Sequence, residues 1–199
     1  MCTRFFIELE SEEAWEIREM MAELNRRELE RAGDVRAPAA VKRGEVFPSD
    51  VAAVVVADGP RAMRWGFSRP DGQGLVLNAR GETHSERPMF QSARPCLLPA
   101  SYYFEWAHRG NEKIKFRIGQ KGRPIFMAGL YRMEKNGLVF CVLTRPPTPE
   151  IAFIHDRMPV LLPPESRRAW LRGASAGEAL DMAIPDITFE RDDGQLSLF

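Results

Sequence analysis

Six short runs of apolar or alternating residues, separated by glycine, proline and asparagine turns, restrict this chain to a fold built mainly on sheet. They lie at 51–57, 75–77, 102–106, 113–118, 125–130 and 138–143. The first is rich in β-branched residues and reads as a buried strand. The others describe a largely antiparallel system. A helix is predicted over 11–31, where Ile17, Met20, Met21 and Leu24 recur at three-and-four spacing, with Ser11 as cap and Gly33 as stop. Shorter helices are expected at 87–93 and at Pro164–Leu171, the second with proline in its first turn and Gly173 beyond its end. Residues 36–48 hold two prolines, a glycine and three basic residues and read as an irregular loop, and the tail from Asp192 reads as polar and loose. No repeat or low-complexity tract is visible. The expectation is an α+β fold with a curved sheet, one domain over 1–199 with its core in 2–185.

The 28 Lys and Arg balance 28 Asp and Glu, so no whole-molecule field draws the chain to nucleic acid or anionic membrane. Any polyanion site must be a local basic patch. An apolar fraction of 44% with 28% charged residues places the chain among globular proteins. No apolar run approaches the roughly 20 residues that span a bilayer, so no membrane partner is expected. The start, Met1-Cys2-Thr3-Arg4, lacks the basic, apolar and small-residue succession of a secretion signal, which makes a cytoplasmic location the default. Cys2, Cys96 and Cys141 are too few and scattered for a disulfide framework and form no Cys-x-x-Cys pair. Neither a structural bridge, a metal site nor a cofactor is expected.

Cys2 stands out by position. Removal of Met1 would leave a chain beginning with cysteine, which offers two nucleophiles on one residue. An α-amine, with a pKa of about 8 against about 10.4 for lysine, is far more often neutral near pH 7 and can attack an aldehyde. The adjacent thiol can then add to the imine and close a five-membered thiazolidine. By position alone, an incidental cysteine is the plainer reading. Asn78-Ala79-Arg80-Gly81-Glu82-Thr83 packs an amide, a guanidinium and a carboxylate after a short strand, and by itself is also compatible with a polar turn. Glu105 sits in the aromatic run Tyr102-Tyr103-Phe104-Glu105-Trp106; in apolar surroundings its pKa rises toward neutrality, which suits proton transfer, but an outward glutamate on a half-buried strand fits equally. His155 lies in His155-Asp156-Arg157-Met158-Pro159-Val160, while Thr144 opens a proline-rich loop able to form one wall of a cleft. His84 and His108 sit in polar, turn-like contexts. Basic residues interleaved with aromatics, Lys42, Arg43, Phe47, Arg64, Trp65, Phe67 and Arg69, have the composition of a strand-tracking groove, and equally of solvated surface over core.

Met-Cys at the start, Asn-Ala-Arg-x-Glu-Thr, Arg-x-Cys-Leu-x-Pro-Ala, an aromatic-aromatic-Glu-Trp run and His-x-Arg-Met-Pro-Val-x-Leu occur here in that order, from Cys2 to Leu162. The set resembles the SOS response-associated peptidase (SRAP) family, whose members recognise abasic sites in single-stranded DNA. The resemblance implies a curved, barrel-like, mostly antiparallel β system with flanking helices. It also implies a DNA-protein crosslinking activity, in which a freed Cys2 captures the ring-opened abasic sugar as a thiazolidine, and self-cleavage of the residue before it. By matching position, Cys2 would be the nucleophile, Asn78 would orient the sugar or amine, Glu105 would relay protons, and His155 would assist ring opening and reversal. Arg80 and Arg157 would grip phosphates, Thr144 would line the pocket, and Trp65, Phe67 and Pro48 would contact DNA. The implied partner is single-stranded DNA with abasic sites, met by a monomer that associates with the nucleoid when engaged. The chain departs from the family pattern at Thr3 and Tyr102, where glycine is usual, and lacks a second tryptophan after Trp65. Two other readings stay open: an N-terminal-nucleophile cysteine peptidase, and a module that binds single-stranded DNA without a covalent bond.

Overall fold

The computed structural model describes residues 2–32, 41–181 and 186–192. The expected helix stop at Gly33 lies outside the described residues, as does the expected loose tail at 192–199 except Asp192, which is not loose: its N–H bonds the Lys115 carbonyl at 2.8 Å. The architecture is α+β, with two curved sheets and few helices. The first sheet closes on itself through β3 (Val51–Val56), β4 (Gly59–Trp65), β12 (Gly137–Arg145), β11 (Ile125–Glu134) and β8 (Arg94–Ala100). All of these neighbours pair antiparallel except β4 and β12, which run parallel with Val139 opposite Arg64. Two short strands extend it from β12: β7 (Asn78–Arg80), parallel, and β13 (Met158–Pro159), antiparallel.

The second sheet is antiparallel throughout, in the order β14 (Thr188–Arg191), β10 (Glu112–Gly119), β9 (Tyr102–Arg109), β1 (Phe5–Ile7) and β2 (Gly44–Val46). A small ladder joins β5 (Phe67–Ser68) to β6 (Leu75–Val76). The helices are α1 (Trp15–Ala32), α2 (Pro164–Leu171) and α3 (Ala176–Asp181). Ile17, Met21 and Leu24 of α1 enter the same core cluster as Phe5 and Trp65, which is what the three-and-four spacing requires. An ion pair from Arg167 to Glu16 at 2.7 Å links α2 to α1.

Several expectations need correction. Residues 87–93 form no α-helix: two 3-10 turns, His84–Glu86 and Pro88–Phe90, flank Arg87, which is extended at φ −98°, ψ 124°. Pro88 disfavours the helical region for the residue before it, so the turns cannot merge. Within the loop expected at 36–48, residues 44–46 form β2, because Phe5 to Ile7 offer an edge to pair with. Of the run at 75–77, Leu75 and Val76 form β6, and Leu77 falls in the gap before β7. Trp65 and Phe67 are core residues at 0% exposure and present no face to a DNA strand. Trp65 stacks on Phe140 at 6.1 Å, meets Phe5 at 5.1 Å, and donates its indole N–H to the Leu77 carbonyl at 3.1 Å. Phe67 packs on Phe90 at 5.9 Å, with the Arg132 guanidinium 4.3 Å from its ring.

Close packing of the barrel wall is sharpest at Gly129 on β11. A Cβ there would stand 2.8 Å from the Cys141 carbonyl oxygen and 3.1 Å from the Cys96 sulfur. The carbonyl belongs to the paired strand β12 and cannot swing aside. Gly129→Ala is therefore expected to destabilise the fold by about 1–3 kcal/mol, read as a lower denaturant midpoint at unchanged slope. An unchanged midpoint would show that the wall has slack at this point.

Candidate active site

Alternation along β9 sorts its residues by face. Tyr103, Glu105 and Ala107 are buried on the inner side, at 0%, 3% and 3% exposure. Tyr102, Phe104 and Trp106 form the outer side, where Arg117, Lys115 and Lys113 of the paired strand β10 lie over the three rings in turn, at 5.6, 3.7 and 5.0 Å. The open choice for Glu105 is thereby decided: it points inward. Burial lifts its carboxyl from the usual carboxylate range to about 7.

Strand β1 runs antiparallel to β9 with Phe5 opposite Tyr103, so the residues before Phe5 continue along β9 in the direction of Glu105. The Phe104 N–H bonds to the Arg4 carbonyl at 2.9 Å, which carries that pairing one residue further. Cys2 lies just beyond, at 0% exposure. Its thiol donates to the Arg4 carbonyl at 3.7 Å, and its carbonyl accepts from Asn78 Nδ2 at 2.9 Å. Asn78 opens β7, which is held beside Val142 of the barrel. Its Oδ1 is buried and has no hydrogen-bond partner among the described residues. Burial, then the negative charge of Glu105, pushes the Cys2 thiol far above its ordinary pKa. In the Met1-Cys2 sequence the Cys2 nitrogen is a peptide amide, so the chain has no Cys2 amine before processing.

His155 follows the turn after β12. Its side chain is 30% exposed, and partial burial lowers its pKa from the ordinary value. Nδ1 lies 3.0 Å from the Arg157 backbone N–H and 2.7 Å from Asp156 Oδ1. A neutral ring accepts the first contact; a protonated ring donates to the second. The Asp156 charge also reaches Glu105 and raises its pKa, so the loop lies within electrostatic range of that carboxyl.

Arg157 does not present the free guanidinium expected of a phosphate grip. It forms a two-pronged pair with Glu82 at 2.8 Å per arm and bonds the Thr144 carbonyl at 2.7 Å and hydroxyl at 3.3 Å, with its side chain 10% exposed. These bonds hold the Glu82 carboxyl below its ordinary pKa. Arg157 is the brace that fastens the His155 loop to the edge where β7 meets β12. Thr144, at 0% exposure, serves the same junction by donating to the Ala79 carbonyl at 3.3 Å. Arg80, at the far end of β7 from Asn78, is exposed. Pro48 is half-buried in the turn after β2, where the Phe47 N–H bonds Asp50 at 3.0 Å.

Of a surface on the opposite side of β9 from Glu105, sequence reasoning named Phe47 and missed Arg4, Trp106 and Lys113. Arg4 sits 4.7 Å from the Phe47 ring and 5.2 Å from the Trp106 ring, and Lys113 covers Trp106 too. The alternation of Lys113, Lys115 and Arg117 carried the signal, since every second position on a strand shares a face. Among the described residues, no group of three or more His, Cys, Asp or Glu is placed to hold a metal ion, and no helix is long and apolar enough to cross a membrane.

Comparison with known proteins fits this geometry. The family profile described as SOS response associated peptidase (SRAP) matches residues 1–190. The abasic site processing protein YobE of Bacillus subtilis is 34% identical over 145 residues, covering 63% of this chain and 66% of its own length. The abasic site processing protein YedK of Escherichia coli is 33% identical over 118 residues, covering 54% and 53%. The chain thus spans less than two thirds of these relatives. A crystal structure of a Bacteroides thetaiotaomicron protein shares the fold at TM-score 0.72 and 20% identity, over 96% of this chain and 91% of that one. One from Bordetella bronchiseptica does so at 0.69 and 21%, over 96% and 99%. With nearly its whole length matched by the family profile, the chain belongs to the SRAP family.

Proposed function

We propose that this chain senses abasic sites in single-stranded DNA and captures them covalently through Cys2 once Met1 is removed, shielding the lesion. The observation that carries the reading is the Asn78 bond to the Cys2 carbonyl at 2.9 Å, which holds the future terminus beside a buried Glu105 that titrates near pH 7. The names of the relatives support abasic-site processing as the task.

The chemistry balances on these groups. The freed Cys2 amine adds to the C1′ aldehyde of the ring-opened sugar to give a carbinolamine. Protonated Glu105 gives its proton to the departing hydroxyl, which leaves as water, and an iminium remains. The Glu105 carboxylate then takes the thiol proton, the sulfur bonds C1′, and the C=N electrons return to nitrogen. Glu105 ends as it began, protonated. Asn78 Oδ1 is the acceptor for the amine N–H. His155, neutral near pH 7, moves the proton needed for sugar ring opening and for reversal of the crosslink. Self-removal of Met1, the activity in the family name, would use the same thiol before any DNA arrives.

Arg80 is the exposed cation nearest Asn78 along β7, suited to a phosphate beside the lesion. Arg4, Phe47, Trp106 and Lys113 supply stacking faces and charge further along, in the manner of a single-strand path. They take the place that Trp65 and Phe67 were expected to fill.

Two outcomes test the reading. Mixed with single-stranded DNA bearing one abasic site, the processed protein should give an adduct that survives denaturation, and Cys2→Ala should give none; equal crosslinking by Cys2→Ala would refute the assignment. The crosslinking rate should follow a bell in pH, because the nucleophilic amine is mostly protonated below about 8 and the acid form of Glu105 is lost above about 7. Glu105→Gln should slow the reaction by about a hundredfold or more and abolish the alkaline fall. A wild-type rate that keeps rising past pH 9 would remove Glu105 as the acid.

A further inference from the structure

Tyr103 has a hydroxyl that packing does not explain. The residue is 0% exposed, and its OH has no hydrogen-bond partner among the described residues. A phenylalanine would fill the same space without burying an unpaired polar group. Tyr103 shares the inner face of β9 with Glu105, two residues on, and stands opposite Phe5, the first residue of the strand that Cys2 precedes. Burial and the charges of Cys2 and Glu105 keep its proton on well beyond the ordinary tyrosine range. It is therefore a permanent donor in a cluster whose thiol resists ionisation.

We propose that the Tyr103 hydroxyl donates a hydrogen bond to the Cys2 sulfur during ring closure, holding the thiolate as its proton passes to Glu105. The inference rests on the covalent reading above and assigns a role in its second step only. In that step the S–H bond breaks toward the Glu105 carboxylate, the S–C1′ bond forms, and the iminium electrons return to nitrogen. Tyr103 keeps its own proton throughout. The first step, attack by the amine, needs no such donor.

The two steps can be read separately with Tyr103→Phe on processed protein and abasic single-stranded DNA. Cyanoborohydride traps the imine, whereas the thiazolidine survives denaturation without it. The variant should form the reductant-independent adduct about tenfold more slowly, while the reductant-trapped adduct appears at the wild-type rate. Both rates unchanged, or both lowered together in a variant that melts like wild type, would overturn the proposal. Absence of any adduct with wild type would instead defeat the covalent reading.

A second inference comes from a different stretch, Gln195-Leu196-Ser197-Leu198-Phe199. The last described residue, Asp192, is anchored firmly: its N–H bonds the Lys115 carbonyl at 2.8 Å, and its carboxylate pairs with Lys115 at 2.9 Å and Arg117 at 3.7 Å. Gln195 is three residues further along the chain. An amide followed by three large apolar side chains in four positions has the make-up of a short peptide ligand, in which an apolar cleft gives affinity and the amide gives orientation. The stretch carries no Lys or Arg, and Asp192 and Asp193 precede it, so its charge favours a protein partner over nucleic acid.

We infer that residues 195–199 dock in an apolar cleft of a ring-shaped sliding clamp, a protein already threaded on the template strand. Tethering there would hold the Cys2 site at an effective concentration of about millimolar near newly exposed single strand. Titration of the full chain against the replication clamp of the same genome should show saturable binding. Gln195→Ala with Phe199→Ala should weaken it about tenfold or more, with the adduct yield on free abasic DNA unchanged. Equal clamp binding by both chains, or binding by neither, would overturn the inference.

Discussion

A single hydrogen bond between the two sheets, from Asn78 Nδ2 to the Cys2 carbonyl, defines the site. Asn78 is fixed by β7 lying along β12 of the closed barrel. Cys2 is fixed by β1 lying along β9 of the second sheet. The second sheet carries both Cys2 and Glu105; the barrel adds Asn78 to them. Where they meet, the chain terminus, an amide, a buried carboxylate and the His155 loop converge, and the Arg157 pair with Glu82 fastens that loop to the barrel edge.

Dryness tunes the site. The burial that raises Glu105 to about 7 also suppresses ionisation of the Cys2 thiol. In the proposed reaction the first effect would provide an acid near neutral pH, and the second would be an obstacle that proton transfer to Glu105 has to overcome. Met1 adds a separate control, because its peptide bond occupies the amine. An unprocessed chain thus has no amine with which to form an imine, however well its side chains are placed.

Much of the arrangement was legible in residue patterns, and the failures share a physical cause. Strands at 102–106, 113–118 and 138–143 were readable because alternation and turn residues mark them locally. Phe5–Ile7, Gly44–Val46 and Arg94–Ala100 were not, since short or proline-bearing stretches become strands only when a distant partner supplies an edge. Trp65 and Phe67 looked like stacking residues because basic neighbours surround them; only the closed barrel shows that both point into the core. Arg157 looked like a phosphate ligand because Glu82, 75 positions away, is a partner that no local spacing announces. Tyr103 was read as part of an aromatic run, and its unpaired hydroxyl is visible only in three dimensions.

The most direct test is peptide mapping by mass spectrometry of the purified adduct with abasic single-stranded DNA. The account predicts the sugar remnant on a peptide beginning at Cys2, with both nitrogen and sulfur consumed so that no alkylating agent labels the thiol. A remnant on a lysine, on a peptide that retains Met1, or on a Cys2 whose sulfur still alkylates would contradict it.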